Sequence, residues 1–286
     1  MRSRRNSFGS LRGWPLSRWV GVVLLGSIVL ACIVMPEVWS SSTDAISLPL
    51  KGPSFDHPFG TDTVGRDVFV RTFAGGRIDL ALTFVVVATS VVIGTLIGTV
   101  AGASRRRSID VVAMRVVDAI IAFPFIVLVL GLVVVIGPTV RWGFIPPGLP
   151  STALALIFIS WAFYARIARA EALSLRDRDY VVAARTLGLS PARIVTRHLM
   201  PSTVRVCTAF AVGHTVVVVG IVAALAFLGS GVQQPTPEWG SIMYEGASLL
   251  QIAWWITVMP GVLLVLSGLS LSLIADSLLD RGIHDR

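Results

Sequence analysis

The sequence is poor in charge and in cysteine. Only 14% of its 286 residues are charged, against about 25% in a typical soluble domain, whereas 54% are hydrophobic. A soluble core cannot absorb this much apolar surface, so the composition predicts that lipid solvates part of the chain. The two cysteines, Cys32 and Cys207, lie in apolar runs and are interpreted as small buried hydrophobic residues. They are too few for a disulfide framework or a cysteine zinc site.

The sequence also lacks the motifs of an energy-converting or hydrolytic enzyme. A phosphate-binding P-loop needs a glycine-rich loop followed by lysine, and the single lysine, Lys51, has no such loop before it. The metalloprotease helix motif and the Gly-x-Ser-x-Gly elbow are absent as well. We therefore expect no catalytic residues and no metal site. A membrane enzyme is disfavoured, since no nucleophile stands in a pattern with a base.

Long charge-free runs predict an all-α, polytopic membrane protein with six transmembrane helices, because about 20 apolar residues are needed to cross a bilayer. The runs cover residues 19–36, 80–104, 119–140, 142–165, 206–237 and 246–275. The first run has a basic start and ends near Ala31-Cys32, so a cleaved signal peptide is an alternative. Five further spans follow it, which favours a retained helix.

The distribution of basic residues predicts the orientation, since cytoplasmic loops keep an excess of arginine and lysine. Five arginines lie in residues 1–18, four in 103–115, eight in 166–205 and two in 281–286, all on one side. The other side holds Lys51, Arg66, Arg71, Arg77 and Arg141. The net charge of +8 thus indicates membrane orientation rather than nucleic-acid binding. We expect a cytoplasmic tail 1–18, a first helix 19–36, an extracytoplasmic segment 37–77, a transmembrane domain 78–276 and a cytoplasmic tail 277–286.

Small residues and prolines inside the spans predict how the helices pack. Gly94, Gly98 and Gly102 repeat at every fourth position, which lets two helix backbones approach closely in lipid. Pro124 and Pro260 are expected to kink their spans. The preferred interpretation of these residues is helix packing rather than substrate contact.

Two ionisable residues in or near the spans require an interpretation. His214 lies alone in an apolar run, and a hydrogen-bonded packing role is favoured over a proton relay. Asp118 is interpreted as the structural partner of a cytoplasmic arginine. An ion-coupled carrier usually needs more titratable groups near the midplane. Any transport by this chain must therefore take its energy from another protein.

The longest inner loop, about residues 166–205, has the pattern of two short helices. A first helix is predicted over residues 180–187, with Asp177 and Asp179 as capping residues and Gly188 as the left-handed stop. A second is predicted to begin at Ser190-Pro191 and to end before Pro201.

Three interpretations of this loop differ in what it contacts. It is similar to a DNA-binding helix-turn-helix, but its tethering between two membrane spans argues against DNA. It is alternatively a basic loop lying on anionic lipid. The third interpretation is a knob that docks into a soluble partner, with Tyr180 and Leu187 as apolar anchors and small residues at 183, 184 and 188.

The loop resembles the "EAA" loop of ABC importer permeases. The resemblance rests on the pattern Ala183-Ala184-x-x-x-Gly188, which Pro201 follows at the family's distance. Val182 stands where glutamate is usual. His198 and Met200 likewise replace the usual isoleucine and leucine. Segments 57–68, 115–124, 227–240, 253–255 and 260–261 resemble the C-type subunit of dipeptide and oligopeptide permeases, in order, over about residues 50–285.

The resemblance implies a type I ABC importer permease fold in the bacterial cytoplasmic membrane, with both termini cytoplasmic. It implies a coupling loop, residues 171–203, that contacts an ATPase through Asp179, Tyr180, Ala183, Ala184, Arg185, Leu187, Gly188 and Pro201. The implied partners are a second homologous permease, two ATP-binding subunits or domains and an extracytoplasmic substrate-binding protein. ATP and Mg²⁺ would be bound by the partners, and this chain would need no cofactor of its own.

Two questions stay open at this stage. The residues Asp62, Gly65, Arg66 and Asp67 either build a folded cap held by an Arg–Asp pair or dock the binding protein directly. The implied substrate is a di- or oligopeptide, while close relatives of the family carry nickel or other small solutes. An ion-coupled secondary carrier is the remaining alternative.

Overall fold

The computed structural model is almost entirely helical and describes residues 16–39, 47–104, 106–137 and 140–284. Within these ranges the β structure amounts to one bridge between Thr61 and Asp67. The helices are α1 Leu16–Val38, α2 Val68–Ala103, α3 Arg107–Ile121, α4 Phe125–Ile136, α5 Leu149–Arg176, α6 Asp179–Thr186, α7 Pro191–Ile194, α8 Met200–Phe227, α9 Trp239–Ala247 and α10 Trp255–His284. The all-α prediction is confirmed. Most of the predicted N-terminal tail (residues 1–15), part of the predicted extracytoplasmic segment (40–46) and residues 285–286 lie outside the described residues.

Five helical segments are long and apolar enough to cross a membrane, namely α1, α2, α5, α10 and the continuous stretch from α7 through α8. The third predicted span, 119–140, differs from the prediction, because α3 and α4 meet there at an angle of 94°. At about 1.5 Å per residue, the 12 residues of α4 are too short to cross a bilayer alone. Pro124 explains the break, since it offers no N–H and disfavours a helical conformation at Phe123.

Two ends of the helix bundle can be named from the chain path. We call the end where α2 and α5 finish and α8 begins the loop end, because it carries α6 and α7. The opposite end, where α2 and α5 begin, is the cap end; it carries segment 47–67 and the hairpin of residues 228–254 around α9. The last span begins at Trp255 rather than at residue 246, since residues 248–254 form a turn after α9.

The α2–α5 pair is the most extensive helix contact of the bundle, and three glycines allow it. A Cβ atom on these glycines would lie within 2.7 Å of a backbone carbonyl oxygen on α5. The pairs are Gly94 with Trp161, Gly98 with Ala165 and Gly102 with Arg169. The contacting residues recur at every fourth position on both helices, so each of the three α2 glycines faces one of the three α5 residues. The packing role predicted from the glycine spacing is confirmed.

His214 on α8 is a buried packing residue. Its Nδ1 atom is hydrogen-bonded to the Tyr164 hydroxyl of α5 at 2.8 Å. The rings of Phe163 and Phe210 lie beside the imidazole, with centroids 6.0 and 5.6 Å away. This geometry agrees with the packing interpretation and gives the imidazole one defined partner.

The first helix is part of the bundle, because α1 packs along α10. The Arg18 guanidinium donates to the backbone oxygen and the hydroxyl of Ser277, both at 2.8 Å. A Cβ atom at Gly21 would lie 2.8 Å from the Ser270 oxygen. These contacts make α1 a packed element of the helix bundle.

Candidate functional site

At the loop end, α6 is a short helix with a sharply defined C-terminus. It ends at Thr186 with Leu187 as its C-cap, and Gly188 follows with φ of +80°. The Gly188 N–H donates to the Arg185 oxygen at 3.0 Å and the Leu189 N–H to the Ala184 oxygen at 3.2 Å. These two bonds form a Schellman motif, which requires a left-handed residue at the position of Gly188. The predicted glycine stop is confirmed.

The start of α6 differs from the prediction. Arg178 occupies the N-cap position and no side chain caps the helix. Asp177 instead terminates α5, and its carboxylate accepts from Arg176 at 3.3 Å. Asp179 is the first helical residue, where a negative charge interacts favourably with the helix dipole. Asp179 thus favours the start of α6 as predicted. The capping role predicted for Asp177 and Asp179 was wrong, because the turn after α5 places Arg178 between them at the cap.

The second helix of the loop begins as predicted and does not end as predicted. The Ser190 hydroxyl accepts from the Arg193 N–H at 3.4 Å, and Pro191 is the first residue of α7. The helix then passes through one π turn, Val195–Leu199, directly into α8. In this turn the Met200 N–H donates to the Val195 oxygen, five residues earlier, instead of to the residue four earlier. The α-helical hydrogen-bond ladder is therefore already interrupted at Met200, next to Pro201, which has no N–H to donate. Pro201 therefore lies in the first turn of α8 and does not stop the helix.

The inner side of the loop is anchored in the bundle. Val181, Ile194 and Leu199 are buried together against Ala103 and Leu175. Two polar contacts add to this apolar cluster. Arg176 Nη1 donates to the Gly102 oxygen at 3.3 Å, and the Ser202 hydroxyl donates to Glu171 at 2.7 Å. The loop therefore rests on α2, α5 and α8 as a packed element.

The outer side of α6 presents an exposed stripe. Tyr180 is 49% exposed and Leu187 is 80% exposed, with Ala183 between them at helical spacing. Asp179 and Gly188 are exposed at the two ends of the stripe. We call this set of five residues the α6 face. It joins five of the eight residues predicted for coupling on one surface.

The other three predicted coupling residues lie elsewhere. Ala184 is buried against the chain itself, so it is not available to a groove on another protein. Arg185 is half-buried and lines a cleft of about 750 Å³ between α2, α3 and α7. Pro201 is exposed at the start of α8. Sequence reasoning missed that Val182 is also exposed on α6, where it stands at the position of the motif's glutamate.

Ion pairs connect α3 to α5 near the loop end. The Arg169 guanidinium holds both carboxylate oxygens of Asp110, with Nη2 and Oδ2 2.6 Å apart. Arg166 Nη2 donates to Asp118 at 2.6 Å. The expectation that Asp118 pairs with an arginine is confirmed. These ion pairs hold α3, which precedes the break at Pro124, beside α5.

At the cap end, the Asp62 carboxylate is the centre of a buried network. It accepts the N–H groups of Val64 and Arg66 at 2.8 and 2.9 Å. It also accepts the side chains of Arg66 at 2.7 Å and Arg71 at 2.5 Å. Burial alone would raise the pKa of Asp62, but the Arg66 N–H, the Arg71 charge and further hydrogen bonds bring it below its ordinary value.

Asp67 and Gly65 shape the same cap. The Asp67 carboxylate caps α2 by accepting the N–H groups of Phe69 and Val70, and it also binds His57 Nδ1 at 2.8 Å. Gly65 has φ of +88°, and a Cβ atom there would collide with the Ser47 oxygen. Because Asp62 and Asp67 are 0% and 1% exposed, they are not accessible to another protein. The geometry supports the folded-cap interpretation of these predicted residues over direct docking.

Comparison with known proteins agrees with this architecture. The family described as "Binding-protein-dependent transport system inner membrane component" matches residues 94–284. The chain belongs to this family. It is therefore an inner-membrane component of a binding-protein-dependent transport system, and its bacterial inner-membrane localisation follows.

Several members and solved structures are similar over most of the chain. A Brucella suis protein named as a peptide transport system permease is 37% identical, covering 91% of this chain and 85% of the relative. The dipeptide transport system permease of Alkalihalophilus pseudofirmus is 33% identical, covering 91% and 83%. The crystal structure of an amino acid ABC transporter superposes with a TM-score of 0.55 at 21% identity, covering 74% of this chain and 93% of that one. The last comparison shows a shared fold.

Proposed function

We propose that this chain is the membrane-spanning permease subunit of an ATP-driven importer that carries di- or oligopeptides into the bacterial cell. The proposal assigns the loop end to the cytoplasm and the cap end to the outside, as the arginine distribution predicts. The relatives named above as peptide and dipeptide permeases support the substrate class. The complete importer contains a second related permease, two ATP-binding subunits or domains and a substrate-binding protein. ATP and Mg²⁺ act in those partners.

The observation that carries the proposal is the α6 face on its packed base. Leu187 is 80% exposed and lies on the same short helix as the exposed Tyr180 and Val182, and a clustered exposed apolar surface of this kind marks an interaction site. Tyr180 supplies an aromatic anchor of the kind that dominates protein interfaces. Ala183 lets a groove approach the helix backbone between these two residues. The α6 face therefore fits a cleft in a soluble ATPase.

The base of α6 determines what a movement of the ATPase would do. Val181 is fully buried, so a push on α6 reaches the apolar cluster at the ends of α2, α5 and α8. The glycine contacts between α2 and α5 then make these two helices move together. In this mechanism nucleotide binding shifts the bundle between inward- and outward-open states, which requires contacts that differ between the states.

The first test is a charge placed on the α6 face. In the assembled importer, Ala183→Arg should abolish ATP-dependent uptake, since a buried unpaired charge at an interface typically costs more than about 2 kcal/mol. Ala192→Arg is the matched control, because Ala192 is exposed on α7 of the same loop. Equal uptake by the Ala183→Arg variant and wild type would contradict the coupling role.

A second test identifies the partner and the solute. Both native cysteines are buried, so a variant with Cys32 and Cys207 replaced by serine and a new Leu187→Cys has one accessible thiol. A bifunctional thiol reagent should link residue 187 to an ATP-binding subunit in the importer. Uptake of labelled dipeptide, tripeptide and Ni²⁺ by vesicles with and without internal ATP then separates the substrates. Ni²⁺ uptake without peptide uptake, or uptake that needs an ion gradient and no ATP, would refute the proposal.

A further inference from the structure

Two acidic side chains lie side by side inside the cap end, separate from the hydrogen-bond network around Asp62. Asp79 on α2 and Glu238, immediately before α9, are 1% and 0% exposed. Asp79 Oδ2 accepts the Trp239 N–H at 3.0 Å, and Glu238 Oε2 accepts the Val232 N–H at 2.8 Å. The remaining oxygens, Asp79 Oδ1 and Glu238 Oε1, are buried without any other donor among the described residues. Because Asp79 accepts the N–H of Trp239, the residue that follows Glu238, the two carboxyl groups lie side by side and interact electrostatically.

No cation neutralises this pair within the part of the chain that the structure describes. Asp62, by contrast, is equally buried and holds Arg66 and Arg71. The nearest arginine on α2, Arg77, is directed to Glu37 at 3.2 Å and both side chains are largely exposed. An unpaired carboxylate in such a site costs several kcal/mol or takes up a proton. Two carboxylates in contact cannot both remain ionised.

We propose that Asp79 and Glu238 form a proton-binding site in which one proton is shared between Asp79 Oδ1 and Glu238 Oε1. The proton turns two mutually repelling acceptors into a donor and an acceptor. It thereby supplies the missing hydrogen bond between α2 and the start of α9, positions 159 residues apart in the sequence. The site is independent of which solute the importer carries.

The surroundings of the pair show what the proton holds in place. The Trp239 side chain is fully buried, and its Nε1 donates to the Thr72 oxygen at 2.8 Å. A Cβ atom at Gly75 would lie 3.1 Å from Glu238 Cα, and one at Gly76 would lie 2.6 Å from the Trp239 ring. The backbone of α9 is thus pressed against α2 with no space for a hydrated charge. Loss of the proton must loosen this contact.

The other elements packed around the pair contribute little charge. The Cys32 thiol of α1 is a further titratable group that interacts electrostatically with Asp79 and with Arg77. From α8, Ala223 and Ala226 approach the Glu238–Gly240 strip and carry no charge. Burial raises the pKa of Glu238 to about 7. Since this exceeds the value of about 4.3 for an unfolded glutamate, the stabilisation is complete below about pH 4 and is lost as pH rises through about 7.

Infrared spectroscopy of the assembled importer tests the site directly. Wild type should show the carbonyl band of a protonated carboxyl group that shifts in D₂O and weakens as pH rises. Asp79→Asn and Glu238→Gln should each lose the band, because an amide donates to the remaining carboxylate in place of the proton. Glu37→Gln, an exposed acid on α1, should keep it. A wild-type spectrum without such a band, or a band that survives in both amide variants, overturns the proposal.

Thermal unfolding of the same samples provides a readout that does not depend on the spectroscopic assignment. Wild type should unfold at a lower temperature at pH 8 than at pH 6, because a proton bound more tightly in the folded state is lost from it as pH rises. Asp79→Asn should remove this pH dependence, since its amide hydrogen bond does not titrate. The Glu37→Gln control should retain it. A pH dependence that is identical in wild type and Asp79→Asn would contradict a shared proton, whereas solute uptake has no bearing on the outcome.

Discussion

Arg71 on α2 forms a two-bond ion pair with Glu245 on α9, with nitrogen–oxygen distances of 2.8 and 2.9 Å. The same guanidinium holds Asp62, so one side chain joins segment 47–67, α2 and α9. Arg71 is only 1% exposed, which places this junction inside the protein. The cap end is therefore held by charge at one point and, in our proposal, by a proton at another.

Removing Arg71 should unfold the cap. Arg71→Ala leaves Arg66 as the one remaining cation beside Asp62 and Glu245 among the described residues, and breaking a buried ion pair costs about 3–5 kcal/mol. Limited proteolysis between residues 47 and 67 should become at least tenfold faster, while the spans remain inserted. Arg77→Ala is the control on the same helix, since its exposed pair with Glu37 is worth under about 1 kcal/mol. Equal proteolysis of both variants would show that the network is not needed.

Acid should release the same cap. The pKa of Asp62 lies below its ordinary value, so its ionised form stabilises the folded cap at neutral pH. This stabilisation is present above the unfolded value of about 3.9 and is lost as pH falls through the lower folded value. Proteolysis of segment 47–67 should therefore accelerate only below about pH 4. An acceleration already at pH 6 would point to another group.

Filling the α2–α5 seam should destabilise the bundle. Gly98→Ala would place a methyl group 2.2 Å from the Ala165 oxygen, and such overpacking costs about 1–3 kcal/mol. Gly213→Ala on α8 is the control, since nothing lies within 4 Å of its Cβ position. There the change should stabilise the helix by about 0.5–1 kcal/mol. Thermal unfolding of the purified importer distinguishes the two, and a stabilised Gly98→Ala protein would refute the close approach.

At Gly188 the backbone conformation, and not the space around the Cβ position, limits which residues can be substituted. Its Cβ position is open, but its φ of +80° is strained for a β-branched residue. Gly188→Val should distort the end of α6, at a cost of about 1–2 kcal/mol, and reduce ATP-dependent uptake. Gly188→Asn should retain most of the uptake, because asparagine tolerates the left-handed region. If both variants transport equally, the Schellman turn does not position the α6 face.

Local signals in the sequence predicted the elements that depend on neighbouring residues. The apolar runs identified the spans, Gly188 and Ser190 marked where α6 ends and α7 begins, and the glycine repeat marked the α2–α5 contact. Each depends on a hydrogen bond or a spacing within a few residues. The same local reasoning failed at Pro201, because a π turn outside the usual helical pattern carries the chain past the proline.

The sequence alone thus determined most of the helical spans, the family and the loop that carries the α6 face. Only the tertiary structure decided that Ala184 is directed inward, that Asp62 and Asp67 are enclosed, and that Asp79 meets Glu238. Which side of a helix is covered, and which distant acid or arginine lies opposite, depends on how the helices cross in space. Burial then determines whether a carboxylate is held by a guanidinium, as at Asp62, or by a proton, as we propose for Asp79 and Glu238.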